Sequence, residues 1–177
     1  MSSNLIKHLA LVNKHRFIVC KLCFKSGIYY QGMTHDLSKY SKVELLESIK
    51  YYNGKKSPIT IAREVQGYSK AYVHHRNVNK HHPEYWIDEY GSNIPKIPYK
   101  YMIEMICDMI AASLTYNKDT YTNDLPLKYW LEKKDLVKMH AKSKEMITDI
   151  LFLVKENGIK KTISRKTFKE YKSKYNS

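Results

Sequence analysis

The sequence has few residues that interrupt regular structure, because its 177 residues include only six glycines and five prolines. Few segments therefore have the composition of a flexible linker, and the length suits one domain or one domain with a tail. No apolar run approaches the roughly 18 residues of a transmembrane helix, so we expect no membrane partner. The first apolar run is interrupted by Lys7 and His8 and has no small-residue cleavage site, which predicts no signal peptide.

Cysteine is also scarce, since only Cys20, Cys23 and Cys107 are present. The Cys20-x-x-Cys23 spacing occurs in redox and zinc motifs, but the sequence has no second pair of this kind. Both residues also lie inside an apolar pattern with helical spacing. We therefore expect buried, reduced thiols and, with them, a cytoplasmic location.

Acidic residues are outnumbered: 17 Asp and Glu stand against 31 Lys and Arg, and the formal net charge is +14. Only four of the basic residues are Arg. Arg is the residue whose planar fork suits bidentate contacts with phosphate and guanine, whereas Lys acts as a hydrated point charge. The positive field would attract either a nucleic acid or a small anionic substrate, and both classes of partner stay open at this point.

What the sequence does contain is apolar residues at helical spacing, without a convincing strand pattern, and this predicts an all-α fold. We expect residues 1–158 to form a helical domain and residues 159–177 to form a basic tail or a terminal helix. Residues 28–34 are expected to be a connection, after which a helix begins between His35 and Ser38. The expected helices cover approximately residues 5–26, 35–53, 57–67, 68–75, 99–116, 124–144 and 146–157.

Histidine is frequent in the first half of the chain. The eight histidines are His8, His15, His35, His74, His75, His81, His82 and His140. Because Pro83 favours the first turn of a helix, residues 74 and 75 should close one helix while residues 81 and 82 open the next. Two helix ends that face each other across a short loop can direct imidazoles at one point. Together with the adjacent pair His35-Asp36, these histidines predict a centre for one or two divalent ions, with Fe, Mn, Zn or Ni as candidates.

Asp108 lies within the strongly apolar segment 99–116, with Glu104 one helical turn earlier. A carboxylate in such a helix costs free energy unless it is paired or bound to a metal ion. We therefore add Asp108 to the predicted metal ligands. Glu104 is a candidate for orienting a ligand histidine, and the alternative for it is a surface ion pair with Lys100.

The order His15, His35-Asp36, Asp108 resembles that of the HD-domain superfamily of metal-dependent phosphohydrolases, which is all-helical. His35-Asp36-Leu37-Ser38-Lys39 is similar to the HD-x-[GS]-K form of its cyclic-dinucleotide phosphodiesterase branch, although the Gly-Tyr-Pro signature of that branch is absent. The segment around Asp108, CDMIAAS, looks like the last metal-binding helix of the superfamily. The longer pattern HDLSKYS, SPI, GYS, HHRNVNKHH and EYW also resembles a bacterial and phage family of unknown function.

The resemblance implies an HD-like helical bundle that hydrolyses a nucleotide or another small phosphoester with a metal-activated water. One ion would be held by His15, His35, Asp36 and Asp108. A second would be held by Asp36 and by histidines from the group His74, His75, His81 and His82. Asp36 and Lys39 are the predicted catalytic residues, because a carboxylate can bridge two cations and an ammonium can neutralise a phosphate oxygen.

Two other functions remain open at the level of sequence. Some HD-like proteins are di-iron oxygenases, and this set of ligands would suit iron. A non-catalytic nucleic-acid-binding protein with a structural metal ion is the other alternative. In that case the loop histidines would stand beside Tyr72, Tyr85 and Trp86 as a stacking surface, and Lys39 would be one more solvated lysine.

Overall fold

The computed structural model describes residues 2–54 and 56–177, and within them the apolar segments fold into helices joined by short loops. These residues form ten α-helices and three short 3₁₀ helices and contain no strand, so the predicted all-α class is confirmed. The α-helices are α1 (Ser2–Ser26), α2 (Tyr29–Thr34), α3 (Lys42–Tyr51), α4 (Pro58–Gln66), α5 (Lys70–Val78), α6 (Tyr99–Asn117), α7 (Leu125–Lys133), α8 (Ala141–Asn157), α9 (Ile159–Thr162) and α10 (Arg165–Asn176). The 3₁₀ helices are Leu37–Tyr40, Pro83–Trp86 and Lys118–Thr120. Among the described residues, no helix combines the length and the apolar composition that crossing a membrane requires.

Helix α6 is the central element and packs against α1 on one side and α8 on the other. Its apolar residues recur at helical spacing, and Met102, Ile106 and Ile110 are fully buried. Burying side chains of this size contributes about 1.5–3 kcal/mol each. The predicted helix over 99–116 is confirmed, and it brings Asp108 beside α1, the helix that carries His15.

The segment between α1 and α3 differs from the prediction. Residues 29–34 form α2 rather than a connection, and no α-helix begins between His35 and Ser38. The α-helix begins at Lys42 instead, because the side chain of Ser41 accepts a hydrogen bond from the backbone N–H of Glu44 as its N-cap. His35 and Asp36 are therefore in a turn, followed by the 3₁₀ helix Leu37–Tyr40.

This turn lies against α1 because α2 approaches α1 closely. A Cβ atom on Gly32 would lie 2.9 Å from Cβ of Cys23, so only glycine allows the contact as it stands. Arg16 then fixes the turn from α1: its Nε donates to the carbonyl oxygen of His35 at 2.7 Å and its Nη2 donates to that of Met33 at 3.2 Å.

A second group of helices covers the other side of the turn, where α3 packs against α4 and α5. Pro58 begins α4 and Gly67, with φ +78°, ends it, as the sequence predicted. Glu47 on α3 accepts hydrogen bonds from the backbone N–H groups of Lys70 and Ala71 at the start of α5. This contact fixes the position of α5, which carries the first pair of loop histidines.

The C-terminal third contains one wrong boundary and one docked helix. The helix predicted over 124–144 ends at Lys133, and α8 begins at Ala141 with His140 as its N-cap. Helix α10 is attached to the core, since its Phe168 and Tyr175 are buried. Tyr175 Oη donates to the carbonyl oxygen of Ile97 at 2.6 Å. The domain boundary at residue 158 stays a prediction.

Candidate metal centre

The turn at His35 and Asp36 is buried and has an unusual backbone. Asp36 is 2% exposed and has φ +53°, in the left-handed region that few residues other than glycine adopt. Because this conformation costs free energy, its presence in a buried turn marks a place where the surrounding structure imposes a specific side-chain direction. The carboxylate of Asp36 is thereby directed toward His35 in the same turn, His75 at the end of α5 and His81 in the loop that follows α5.

The first group of converging side chains comes from α1, the turn and α6. His15 Nε2 lies 2.9 Å from Asp108 Oδ1, and His35 Nε2 lies 3.6 Å from the same oxygen. His35 Nε2 also lies 3.5 Å from Asp36 Oδ2. One donor atom from each of His15, His35 and Asp108 falls within 4.8 Å of the other two, which is a spacing that could hold a metal ion.

The second group comes from the end of α5 and the loop that follows it. His75 Nε2 and His81 Nε2 lie 3.3 Å and 3.5 Å from Asp36 Oδ1. The ring of His82 contacts the ring of His75 edge to face and the ring of His81 at a tilt, with centroids 4.7 Å and 4.5 Å away. Donor atoms of His75, His81 and His82 again lie within 4.8 Å of one another. Asp36 therefore presents Oδ2 to the first group and Oδ1 to the second.

Two glutamates hold the outer nitrogens of these rings. Glu104 Oε1 lies 2.9 Å from His35 Nδ1 and 3.2 Å from His81 Nδ1, while Glu44 Oε2 lies 2.9 Å from His75 Nδ1. An ionised carboxylate only accepts hydrogen bonds, so each of these Nδ1 atoms donates. In the neutral tautomer the Nε2 atom then keeps a lone pair directed at the cluster. Carboxylates in this position are typical partners of metal-binding histidines.

Several atoms at the centre of the cluster are buried without a hydrogen-bond partner among the described residues. They are His35 Nε2, Asp36 Oδ1, His81 Nε2 and His82 Nε2. Buried polar atoms in folded proteins are almost always hydrogen-bonded, and leaving one unsatisfied costs about 1–3 kcal/mol. These atoms belong to groups whose donor atoms lie within 4.8 Å of one another, so bound ions would supply the missing partners. The buried His and Asp side chains therefore fit a metal ion better than they fit an interior without one.

The cluster contains both ionised and neutral groups. Burial alone would raise the pKa of Asp108, but the hydrogen bond with His15 and the nearby charge of His35 hold that pKa well below its usual range. Burial also lowers the pKa of His82, and repulsion from His81 and His75 lowers it further. The carboxylates and His82 thus have the protonation states that metal ligands need. Burial alone would lower the pKa of His35, but Asp36, Asp108 and Glu104 raise it to about 10, so this ring would release a proton on binding a metal ion.

A cavity of about 180 Å³ opens beside the cluster. Its wall at this end includes His15, Asp36, His82 and Asp108. Lys39 also lines it, with Nζ 3.0 Å from Asp36 Oδ2. An ammonium group in this position adds a positive charge next to the carboxylate-rich centre. A small anion in the cavity would therefore have Lys39 and the cluster on the same side.

A family model described as "Family of unknown function (DUF5662)" matches residues 4–153. The chain belongs to this family. The match confirms the predicted resemblance to a family of unknown function, and it covers every residue of the cluster, from His15 to Asp108. No match was found among curated proteins, and none among solved structures. Helices α9 and α10 lie beyond the segment that defines DUF5662.

The structure brings together all but one of the predicted ligands. His15, His35, Asp36 and Asp108 meet as the sequence suggested, and the loop supplies the three histidines His75, His81 and His82. His74 lies apart, is one-third exposed, and contacts Glu44 Oε1 through Nδ1 at 2.7 Å. It is in none of the groups whose donor atoms converge. Lys39 and Glu104 both contact the cluster.

Sequence reasoning missed Glu44. The spacing Ser41-x-x-Glu44 is that of a capping box, which assigns Glu44 to the start of a helix. Ser41 does cap α3 in this way, but the Glu44 carboxylate bonds His74 and His75 instead of the backbone. Glu44 can be identified as a partner of the two adjacent histidines only when the packing of α3 on α5 is known.

Proposed function

We propose that the chain is a metal-dependent phosphohydrolase of the HD type that acts on a small phosphoester. The observation that carries this proposal is the convergence of Nε2 atoms on the buried Asp36 and the partly exposed Asp108, while glutamates hold the opposite nitrogens of His35 and His75. The motif order His15, His35-Asp36, Asp108, which resembles the HD-domain superfamily, supports the same class. All-helical architecture is consistent with it.

The residues divide into two sets of ligands that share one carboxylate. His15, His35 and Asp108 would hold one divalent ion with Asp36 Oδ2, and His75, His81 and His82 would hold another with Asp36 Oδ1. When bound, such ions lower the pKa of a coordinated water and stabilise charge on phosphoryl oxygens. Nitrogen and oxygen donors in this mixture suit Fe, Mn, Zn or Ni.

The remaining side chains would bind and orient the substrate. Lys39 lines the cavity and would neutralise a phosphoryl oxygen, since its ammonium group faces the cavity next to Asp36. Burial alone would lower the pKa of Lys39, but the adjacent Asp36 raises it, so the side chain stays charged. Lys39 and Asp36 are mostly shielded from solvent, which would make these electrostatic contacts stronger than in bulk water.

The test is elemental analysis of the purified chain without a histidine tag, followed by a screen of phosphomonoesters and nucleotides. We expect one or two divalent ions per chain and hydrolysis of at least one small phosphoester. Asp36→Ala should lose metal and turnover together while keeping a helical circular dichroism spectrum. A folded Asp36→Ala variant with undiminished turnover would refute the proposal.

Two further measurements separate the phosphohydrolase from the two alternative functions. A di-iron oxygenase requires iron and consumes oxygen, so its turnover should stop under anaerobic conditions, whereas hydrolysis should continue. A nucleic-acid-binding protein should bind duplexes with an affinity that falls steeply as salt increases. That affinity should survive Asp36→Ala, because lysines on the surface rather than the cluster would make the contacts.

A further inference from the structure

The cavity extends well beyond the metal cluster along α1. His8 and His15 both line it, and they are seven residues apart on the same helix, which corresponds to about 10 Å. The near end is formed by the cluster. The far end is formed by His8 together with two hydroxyl side chains, Ser48 from α3 and Ser57 from the start of α4.

His8 is a buried histidine without an evident structural task. It is 6% exposed, and its Nδ1 has no hydrogen-bond partner among the described residues. Its ring contacts Tyr52 edge to face, with centroids 5.5 Å apart, which positions the imidazole without satisfying the nitrogen. Because His8 also lines the cavity, its imidazole can offer a polar group to a ligand bound there.

The chemistry of the far end favours a neutral polar group. Burial lowers the pKa of His8, and the charge of Lys39 lowers it further, so the ring is neutral and offers one donor and one acceptor. The hydroxyl of Ser57 makes no capping bond to α4, and a serine hydroxyl can both donate and accept. A hydroxyl group on a ligand matches these partners, because it can both donate to and accept from them.

The middle of the cavity and its size limit the rest of the ligand. Leu11, Val12, Ile59 and Ala71 are apolar residues of its lining. At about 180 Å³ the cavity is smaller than the roughly 300–1,000 Å³ of sites that enclose drug-sized ligands. A phosphoryl group and a short carbon chain fit this volume.

We propose that His8, with Ser48 and Ser57, binds a hydroxyl group on the alcohol portion of the substrate, so that the substrate class is a small hydroxylated phosphomonoester. The inference rests on the proposed function, because it places the phosphoryl group at the metal end of the cavity. His8 is a residue for substrate specificity in this assignment. It lies two helical turns from the nearest ligand and takes no part in holding metal.

The experiment compares glycerol 1-phosphate with propyl phosphate, which has the same three-carbon chain without the hydroxyl groups. Binding of both compounds to the metal-loaded full chain is measured by calorimetry, and kcat/KM is measured in parallel. We expect the wild-type chain to prefer glycerol 1-phosphate by about 10- to 100-fold in affinity, because propyl phosphate leaves the polar atoms at the far end unpaired.

His8→Phe keeps an aromatic ring but removes both nitrogens, and it should reduce this preference to about one. His8→Gln restores a hydrogen-bonding group and should recover part of it. His140→Phe is the matched control at the N-cap of α8, far along the chain from the cavity-lining residues, and should leave the preference at its wild-type value.

Equal binding of the two compounds to the wild-type chain, or binding of neither, would overturn the assignment. So would a preference that His8→Phe leaves intact. Selective binding of glycerol 1-phosphate without any hydrolysis would instead refute the phosphohydrolase proposal and leave the specificity of the far end standing. The binding measurement therefore separates failure of the inference from failure of the function on which it rests.

Discussion

Helices α1–α6 and helices α7–α10 differ in whether their buried polar groups have hydrogen-bond partners. In the C-terminal part, Lys174 on α10 pairs with Glu145 and Asp149 near the surface of α8. The buried hydroxyl of Tyr175 there is fully used, with Ile97 and Ser143 as partners. In the N-terminal part, imidazoles and carboxylates are buried with atoms left unsatisfied.

The buried polar atoms without hydrogen-bond partners are concentrated in the N-terminal part. Among the described residues, every buried side-chain nitrogen or oxygen without a partner lies within residues 8–84, apart from Tyr121 Oη. A fold selected for stability alone would satisfy or remove such groups, as the C-terminal part does. The difference is consistent with the proposal that the interior of α1–α6 holds a ligand, while α7–α10 complete the core beside it.

Among substitutions that test this difference between the two parts, the largest expected effect is on metal affinity. Glu104→Gln removes the charge that orients His35 and His81 through their Nδ1 atoms. We expect divalent metal to bind about 10- to 100-fold more weakly, the usual cost of losing such a partner. Titration against a chelator of known affinity measures the change. Glu145→Gln, the same substitution in the C-terminal part, should leave the metal affinity unaltered, and equal affinities for all three chains would contradict the role of Glu104.

The next largest effect concerns the charge beside the cavity. Lys39→Met should lower kcat/KM for a phosphomonoester by about tenfold, because a charge-assisted contact with a phosphoryl oxygen is lost. The control is Lys42→Met, since Lys42 is exposed at the start of α3. Steady-state kinetics at a fixed ionic strength gives both values. If both substitutions reduce kcat/KM equally, Lys39 acts only through the overall positive field.

The smallest effect is expected from the satisfied network of the C-terminal part. Burial alone would raise the pKa of Asp149, but hydrogen bonds from Lys174 and Tyr171 lower it below its usual value. A lowered carboxyl pKa stabilises the fold above the ordinary pKa of Asp, about 3.9, and this contribution disappears as the pH falls through the lowered value. Asp149→Asn should therefore reduce the melting temperature by only a degree or two at pH 7, in line with other partly exposed ion pairs.

Calorimetric melting curves at pH 7 and at about pH 3 test this pH dependence. The difference between wild-type and Asp149→Asn chains should begin to shrink in acid, because the unfolded wild-type chain takes up a proton at Asp149 at a higher pH than the folded chain does. A difference that stays constant across this range would mean that Asp149 stabilises α10 through shape rather than charge.

The parts of the fold that depend on local sequence could be predicted, and the parts that depend on packing could not. The spacing of apolar residues in α6 and the Ser57-Pro58 start of α4 are local signals, and both helices lie where they were expected. The left-handed turn at Asp36 follows from contacts with Arg16 and from the approach of α2 to α1. Nothing in the neighbouring sequence indicates that contact.

The candidate site shows the same division. The candidate ligands on α1, the turn and α6 could be predicted because their residue types and order resemble those of the HD-domain superfamily. His74 and His75 could not be distinguished by sequence, since they are neighbours at the end of one helix. Only the position of Glu44 on α3 separates them: it holds His75 over Asp36 and keeps His74 at the edge.

The two oxygens of Asp36 face different sets of histidines, and this has a thermodynamic consequence for how the centre fills. An ion on either side would restrict the rotation of one shared carboxylate and withdraw charge from it. The two occupancies are then linked, and by reciprocity each ion changes the affinity of the other by the same factor. If two ions bind as proposed, their loading should be described by a coupling constant between them rather than by two independent dissociation constants.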